Sequence, residues 1–326
     1  MVTLSAHIEE WPISKPYRIH DYEWTTYRVV VVEIGDGQSI GRGEGSPVFY
    51  LGETVESVLA EVLATASVIE GGASRKQLLN ILPAGAARAA IDAALWDFEA
   101  KTSQKTVWEL AEISSRPIKT GTTIDIEESA EKMVQKVNEF PNFDTFKIKV
   151  GHGSPIERVA AIRKARPDAT LIVDANQGWS FTELKRYASQ LKLLNVRHIE
   201  QPLRRGADDE LEKYDGPVPL CADESCQGMS EYEAIAKRYD IINIKVDKAG
   251  GLTAALDFAR HLQMRNIKFI VSCMCGTSLN LAPGFVLAHL TDFAELDSHM
   301  LLKTDRPGSF ENASQLSALS PLLWGI

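Results

Sequence analysis

Three stretches of the chain share one shape. Leu171-Ile172-Val173-Asp174, His198-Ile199-Glu200 and Leu220-Cys221-Ala222-Asp223 each run apolar residues into an acid. Such runs suit strands buried on both faces of a parallel sheet. Three successive buried strands that end in carboxylates suggest oxygens converging on one hard cation. The competing reading is that each acid caps the helix after its strand. Three inward carboxylates without a counter-charge would force one of them to take up a proton. A divalent cation removes that cost, and an all-oxygen set lacking His and Cys favours magnesium over zinc.

The bases come next. In Phe146-Lys147-Ile148-Lys149-Val150 the two lysines stand at i and i+2, so they project from one side of a strand. Mutual repulsion and partial burial are expected to lower both pKa values, which suits a general base. Ile244-Lys245-Val246 carries a third lysine four apolar runs later. Lys245 reads either as a partner for Asp223 or Asp247, or as a second base facing the first across a barrel. Two lysines flanking a metal-bound substrate could remove a proton on one face and return it on the other. That chemistry fits abstraction of a proton beside a carboxylate, where a metal holds the carboxylate and neutralises the enediolate. No Ser-His-Asp grouping, Gly-rich phosphate loop or reactive-looking thiol competes, and His152, His198 and His289 lack metal-ligand spacing.

The elements that must position these groups follow from the patterning. Residues from Val2 to about Val48 read as strands, with Arg28–Ile34 strongly β-branched and Gly35-Asp36-Gly37 as a turn. Between the first two strands, His20 to Thr26 reads as a polar and aromatic loop. Helices are expected over Thr54–Leu63 and Gly85–Ala100, and the alanines of the second suggest close packing on a neighbour. Residues 1–115 thus form an N-terminal α+β capping domain. After Pro117, apolar runs centred near Ile124, Ile148, Ile172, Ile199, Cys221, Ile242, Ile270 and Ala294 recur every roughly 22 to 28 residues. Helical segments such as Ile156–Ala165, Thr182–Leu194, Met229–Lys237 and Thr253–Met264 alternate with them. Eight strand–helix repeats make a (β/α)8 (TIM-like) barrel of the α/β class over 116–299, with its site at the C-terminal strand ends. An open doubly wound sheet is the rival, but no Gly-x-Gly-x-x-Gly turn follows the first strand. The segment 300–326 is expected to pack back and complete the capping domain.

The formal charge of −9, from 35 basic and 44 acidic residues, argues against nucleic acid or an anionic membrane as partner. Apolar content of 44% is ordinary for a globular chain, and no apolar run reaches the ~18 residues of a membrane span. Cys221, Cys226, Cys273 and Cys275 lack paired zinc spacing, and two fall in buried strands, which points to a reducing, cytoplasmic compartment. The acidic N-terminus gives no sign of a signal peptide.

Lys147-Ile148-Lys149, Asp174-Ala175-Asn176, Ile199-Glu200-Gln201-Pro202, Ala222-Asp223-Glu224-Ser225 and Asn243-Ile244-Lys245 resemble, in order, the motifs of the enolase superfamily in its muconate-lactonizing subgroup. The resemblance is closest to dipeptide epimerases of the L-Ala-D/L-Glu epimerase type, through Ile81–Arg88, Gln177-Gly178-Trp179, Cys221–Cys226 and Asp247–Leu252. It implies that Asp174, Glu200 and Asp223 bind magnesium and that Lys149 and Lys245 are the acid/base pair. Lys147 would touch the substrate carboxylate and lower the pKa of Lys149. It also implies a substrate-ammonium site of two acids at the end of strand eight, where this chain has Glu295-Leu296-Asp297, the first one methylene longer than the family's Asp. Cys273 and Met274 are expected among the substrate contacts. Relatives acting on Ala-Glu carry an arginine in the loop after the first strand. Here His20-Asp21-Tyr22-Glu23-Trp24 has none, so the expected partner is a small dipeptide whose second residue is hydrophobic or cationic, with Asp21 and Trp24 among its contacts. Arg18 or Arg28 pairing with a glutamate side chain is the alternative. N-succinylamino acid racemase, o-succinylbenzoate synthase and muconate cycloisomerase use the same kind of site, and a non-catalytic barrel is the reading of another class. Homo-oligomerisation is left open.

Overall fold

The computed structural model describes residues 1–19, 22–151 and 155–326. Its N-terminal unit is an antiparallel sheet of β1 (Thr3–Ile19), β2 (Tyr22–Gly35) and β3 (Ile40–Gly45), in that order. Val29 to Val32 and Ile34 are all buried, as suits a β-branched run broken only by Glu33. β2 starts earlier than the sequence suggests. Tyr22, Glu23 and Trp24 pair with Ile19, Arg18 and Tyr17, so the expected loop is strand from Tyr22 onward. Aromatic and β-branched residues there gain cross-strand partners that a single-strand reading does not weigh. His20 and Asp21 lie outside the described residues.

Helices α1 (Val55–Glu70) and α3 (Ala86–Ser103) back this sheet, and the short α2 (Arg75–Ile81) between them packs on α3. α2 was not expected, although Ser74 and Gln77 form a capping box that marks its start. The alanines of α3 have the purpose their number suggests. A Cβ on Gly43 would lie 2.1 Å from the Ala90 carbonyl oxygen, and one on Gly41 2.3 Å from that of Ala94. The strand therefore lies directly on helix backbone. Gly43→Ala is expected to cost about 1–3 kcal/mol, because the obstructing atom is main chain and cannot swing away. Thermal unfolding checks this, and an unchanged midpoint would refute the close approach.

The second unit is a parallel barrel. β4 (Ile118–Lys119) leads into it, followed by β5 (Thr122–Ile124), β6 (Thr145–Lys149), β7 (Thr170–Asp174) and β8 (Val196–Glu200). β9 (Leu220–Ala222), β10 (Ile241–Lys245), β11 (Lys268–Ser272) and β12 (Ala294–Glu295) complete the staves. Each neighbours the next in sequence order, and Gly121 N–H donates to the Ala294 carbonyl at 2.9 Å to close the ring. All eight expected run centres fall inside these strands. The crossovers are less regular than eight equal repeats. The fourth and eighth strands are followed by 3-10 turns, Asp209–Lys213 and Ser298–Leu301, in place of full helices.

Polar clamps hold the first unit over the barrel mouth. Arg88 of α3 donates to the Gly250 and Ala249 carbonyls at 2.8 and 2.7 Å. Asp92 accepts from the Thr253 N–H and hydroxyl at 3.0 and 2.6 Å. Ser46 N–H donates to Asp247, and Arg306 pairs with buried Glu44, both at 2.8 Å. The last segment touches both units. β13 (Gln315–Leu316) pairs with β4, and Trp324 donates to the Ala93 carbonyl at 3.0 Å. Among the described residues no helix is long and apolar enough to cross a membrane.

Candidate active site

The strand register brings the acids and lysines to one end of the barrel. Lys149, Asp174 and Glu200 pair across β6, β7 and β8, so three side chains from adjacent staves reach the same level. Asp223 follows β9 directly. One carboxylate oxygen each from Asp174, Glu200 and Asp223 lies within 4.8 Å of the others. All three residues are essentially without solvent exposure. Oε2 of Glu200 has no hydrogen-bond partner among the described residues. Burial, reinforced by Asp174, Glu295 and Asp223 against the pull of Lys147, pushes the Glu200 carboxyl up to about 8. An acid set of this kind, dry and carrying an orphaned oxygen, suits a divalent cation held by oxygen alone.

The lysines answer the acids pairwise. Lys149 donates to Asp174 at 2.6 Å and Lys245 to Asp223 at 2.8 Å. Lys147 donates to Glu200 at 2.7 Å and to Glu295 at 2.9 Å. β6 and β10 are separated by three strands either way round the ring, so Lys149 and Lys245 stand on opposing walls. The pairing of Lys245 with Asp223 is the partner role its position also allowed. One expectation is corrected. Burial works to lower Lys147, but Glu200, Glu295 and Asp174 outweigh it and hold the group well above the usual lysine range. Lys245 is likewise raised, since Asp223 overcomes its burial. At Lys147, lysine–lysine repulsion loses because two carboxylates, Glu200 and Glu295, lie at hydrogen-bond distance.

The remaining site residues line the mouth above this cluster. Trp24, Cys273, Met274, Glu295 and Asp297 surround one pocket together with Lys147, Lys149, Asp223 and Lys245. Trp24 stacks on Tyr22 at 5.7 Å and meets Phe49 edge-on at 5.1 Å. The capping sheet thus presents an aromatic wall to the barrel. Asp297 accepts from the Thr123 N–H at 2.6 Å, while Oε1 of buried Glu295 has no partner among the described residues. Asp21 lies outside the described residues. Both nearby arginines are engaged elsewhere: Arg18 with Glu23 at 2.7 Å, and Arg28 with Glu10 at 3.1 Å and Glu56 at 2.9 Å.

Two groups in the cluster escape a sequence reading. Lys248, fully buried, donates to the carboxylate and the carbonyl of Asp223 at 2.6 Å each. Asn243 donates to Glu200 at 2.9 Å and accepts from the Ser272 hydroxyl at 2.8 Å. Both lie in stretches that carry the family resemblance without a role assigned to them there, and the polar Asn inside the apolar run Ile241–Ile244 is a further signal, because a buried amide needs partners.

Comparison with known proteins agrees with this geometry. Residues 125–313 match the enolase C-terminal domain-like family, and residues 1–111 match the mandelate racemase / muconate lactonizing enzyme N-terminal domain. An L-Ala-D/L-Glu epimerase of Escherichia coli (strain K12) is 36% identical over 94% of this chain and 96% of its own length. An N-acetyl-D-glutamate racemase of Pseudoalteromonas sp is 37% identical over 91% of this chain and 95% of its own. The crystal structure of an enolase family member from Agrobacterium tumefaciens with homology to dipeptide epimerases, with sodium and L-Ala-L-Glu bound, superposes with a TM-score of 0.96. It is 36% identical and covers 100% of both chains. The chain belongs to the enolase superfamily, in the family of mandelate racemase and muconate lactonizing enzyme.

Proposed function

We propose that the protein is a magnesium-dependent dipeptide epimerase that inverts the α-carbon of the C-terminal residue by moving a proton between Lys149 and Lys245. The observation that carries this reading is the pair of lysines on opposing walls, each beside one of three clustered carboxylates. Asp174, Glu200 and Asp223 would hold the magnesium ion. When bound, it supplies the positive charge that makes the proton beside the substrate carboxylate easier to remove. Lys149 works on one face of the α-carbon and Lys245 on the other, each alternating between base and acid. Lys147, already between Glu200 and Glu295, orients the substrate carboxylate. Lys248 and Asn243 fix the acids. A net charge of −9 and four free thiols fit work on a small molecule in the cytoplasm.

Glu295 and Asp297 are read as the acceptors of the substrate ammonium, and the unpartnered Oε1 of Glu295 supports this. Trp24, with Tyr22 and Phe49 beside it, favours a second residue that is hydrophobic or cationic. The engagement of Arg18 and Arg28 in other ion pairs supports the same choice. A second reading, racemisation of an N-acylated amino acid, is favoured by the ion pair of Glu295 with Lys147 at 2.9 Å, which takes up part of the charge meant for an ammonium.

A panel of L-Ala-L-X dipeptides and their N-acetyl forms separates these readings. Turnover is expected to favour apolar and basic X, and N-acetylation is expected to lower kcat/KM at least about tenfold, the worth of a charged hydrogen bond. Preference for Ala-Glu would overturn the specificity. Equal turnover of the acetylated form would move the assignment to the second reading.

A further inference from the structure

Beneath the carboxylates the barrel interior holds an apolar layer of Ile172, Cys221, Ile241, Ile270 and Phe293. His198 stands against that layer without solvent exposure, its ring edge-on to Phe293 at 6.3 Å between centroids. Neither ring nitrogen has a hydrogen-bond partner among the described residues. A neutral imidazole carries one donor and one acceptor, and burying both unpaired is unfavourable. Leucine would fill such a place without that cost. Two neighbours are equally under-used. Oε2 of Glu200, two residues along the same side of β8, is buried and unpartnered. The Cys221 thiol, on the next stave, makes only a 3.9 Å contact to the Ala222 carbonyl. One ligand atom each from His198, Glu200 and Cys221 lies within 4.8 Å of the other two.

We propose that these three residues form a second metal site, selective for a thiophilic divalent cation such as zinc or cobalt(II). Imidazole, thiolate and carboxylate are a mixed set that such ions accept and that magnesium does not seek. The charges close. On binding, the Cys221 thiol gives up its proton to solvent, as does the Glu200 carboxyl wherever it carries one, and thiolate plus carboxylate match the two charges of the cation. The sequence hides the site because the ligands come from paired strands, with His198 and Glu200 on β8 and Cys221 in register with Glu200 on β9. Glu200 belongs to both metal sites, so a thiophilic ion enters at the expense of magnesium and inhibits the enzyme. That last consequence rests on the reading of Glu200 as a magnesium ligand. The site itself does not.

Cobalt(II) tests this spectroscopically on the full-length chain, stripped of metal and kept reduced. One equivalent is expected to give the near-ultraviolet band of a cobalt–thiolate bond. The band should vanish in Cys221→Ser and weaken at least tenfold in apparent affinity in His198→Leu. His198→Leu places an apolar side chain against an apolar layer, and an unchanged melting temperature shows that it folds. Bound cobalt without a thiolate band, or a band unchanged in His198→Leu, would overturn the site. Added magnesium should displace the band, and a band indifferent to saturating magnesium would overturn the sharing of Glu200. None of these spectra depends on substrate, so failure of every dipeptide to react would leave them unaltered.

Discussion

Lys149→Ala and Lys245→Ala are each expected to lower kcat for epimerisation by on the order of 10²–10⁴, the usual worth of a positioned acid or base. The more telling outcome is asymmetric. With one lysine gone, the other can still remove the α-proton from the face it serves and return a deuteron to that same face. In heavy water each variant should therefore wash deuterium into one epimer without inverting it, and the two variants should choose opposite epimers. The opposing positions of β6 and β10 in the ring demand this complementarity. If both variants exchange the same epimer, or if either keeps full epimerisation, the two lysines do not serve two faces. The ion pairs bear on pH as well. Lys245 is held above its ordinary range because Asp223 outweighs its burial, so while that pair persists it is poised as an acid. A cation on Asp223 would compete for the same carboxylate, weaken the pair and bring the lysine closer to use as a base.

How legible this site was in the sequence depends on distance along the chain. Asp174 and Glu200 were readable because an apolar run that ends in an acid has few explanations, and Lys147 with Lys149 because a spacing of two fixes one side of a strand. The barrel itself was readable from the recurrence of those runs. What escaped was set by tertiary return. Lys248 reaches Asp223 only because the short helix Val246–Ala249 follows directly on β10, the stave beside β9, and nothing in Asp247-Lys248-Ala249 announces that neighbour. The lowering expected of Lys147 fails for a related reason. Local sequence places lysine beside lysine, whereas the fold places the carboxylates of Glu200, Glu295, Asp174 and Asp223 around Lys147. The strand at Tyr22–Trp24 escaped because its partners, Tyr17 to Ile19, are strand-forming only as a pair with it. The close approach at Gly43 was half visible, in the alanines of α3 and not in the glycines that meet them.

Glu200→Gln is expected to weaken magnesium binding on the order of 100-fold or more, since removing a ligand should cost at least as much as removing a partner that merely orients one. Turnover and exchange should fall with it, recovering in part at high magnesium. The fold should not suffer. Gln keeps the shape, and its carbonyl can accept from Lys147 and Asn243 as Oε1 of Glu200 does at 2.7 and 2.9 Å. Relative to the wild type, metal-free stability should even improve toward alkaline pH. Burial pushes the Glu200 carboxyl from its ordinary 4.5 up to about 8, so the folded state binds this proton more tightly than the unfolded chain. The stability linked to that proton is complete below about pH 4.5 and is lost as pH rises through about 8. Glutamine cannot make that loss. The wild-type melting temperature without metal should therefore fall, relative to Glu200→Gln, between those limits, and magnesium should reverse the fall in the wild type alone. Parallel curves for the two proteins, or equal protection of both by magnesium, would show that Glu200 is neither a strained acid nor a ligand. Because the comparison reads unfolding and not catalysis, it tests the metal site separately from the two lysines.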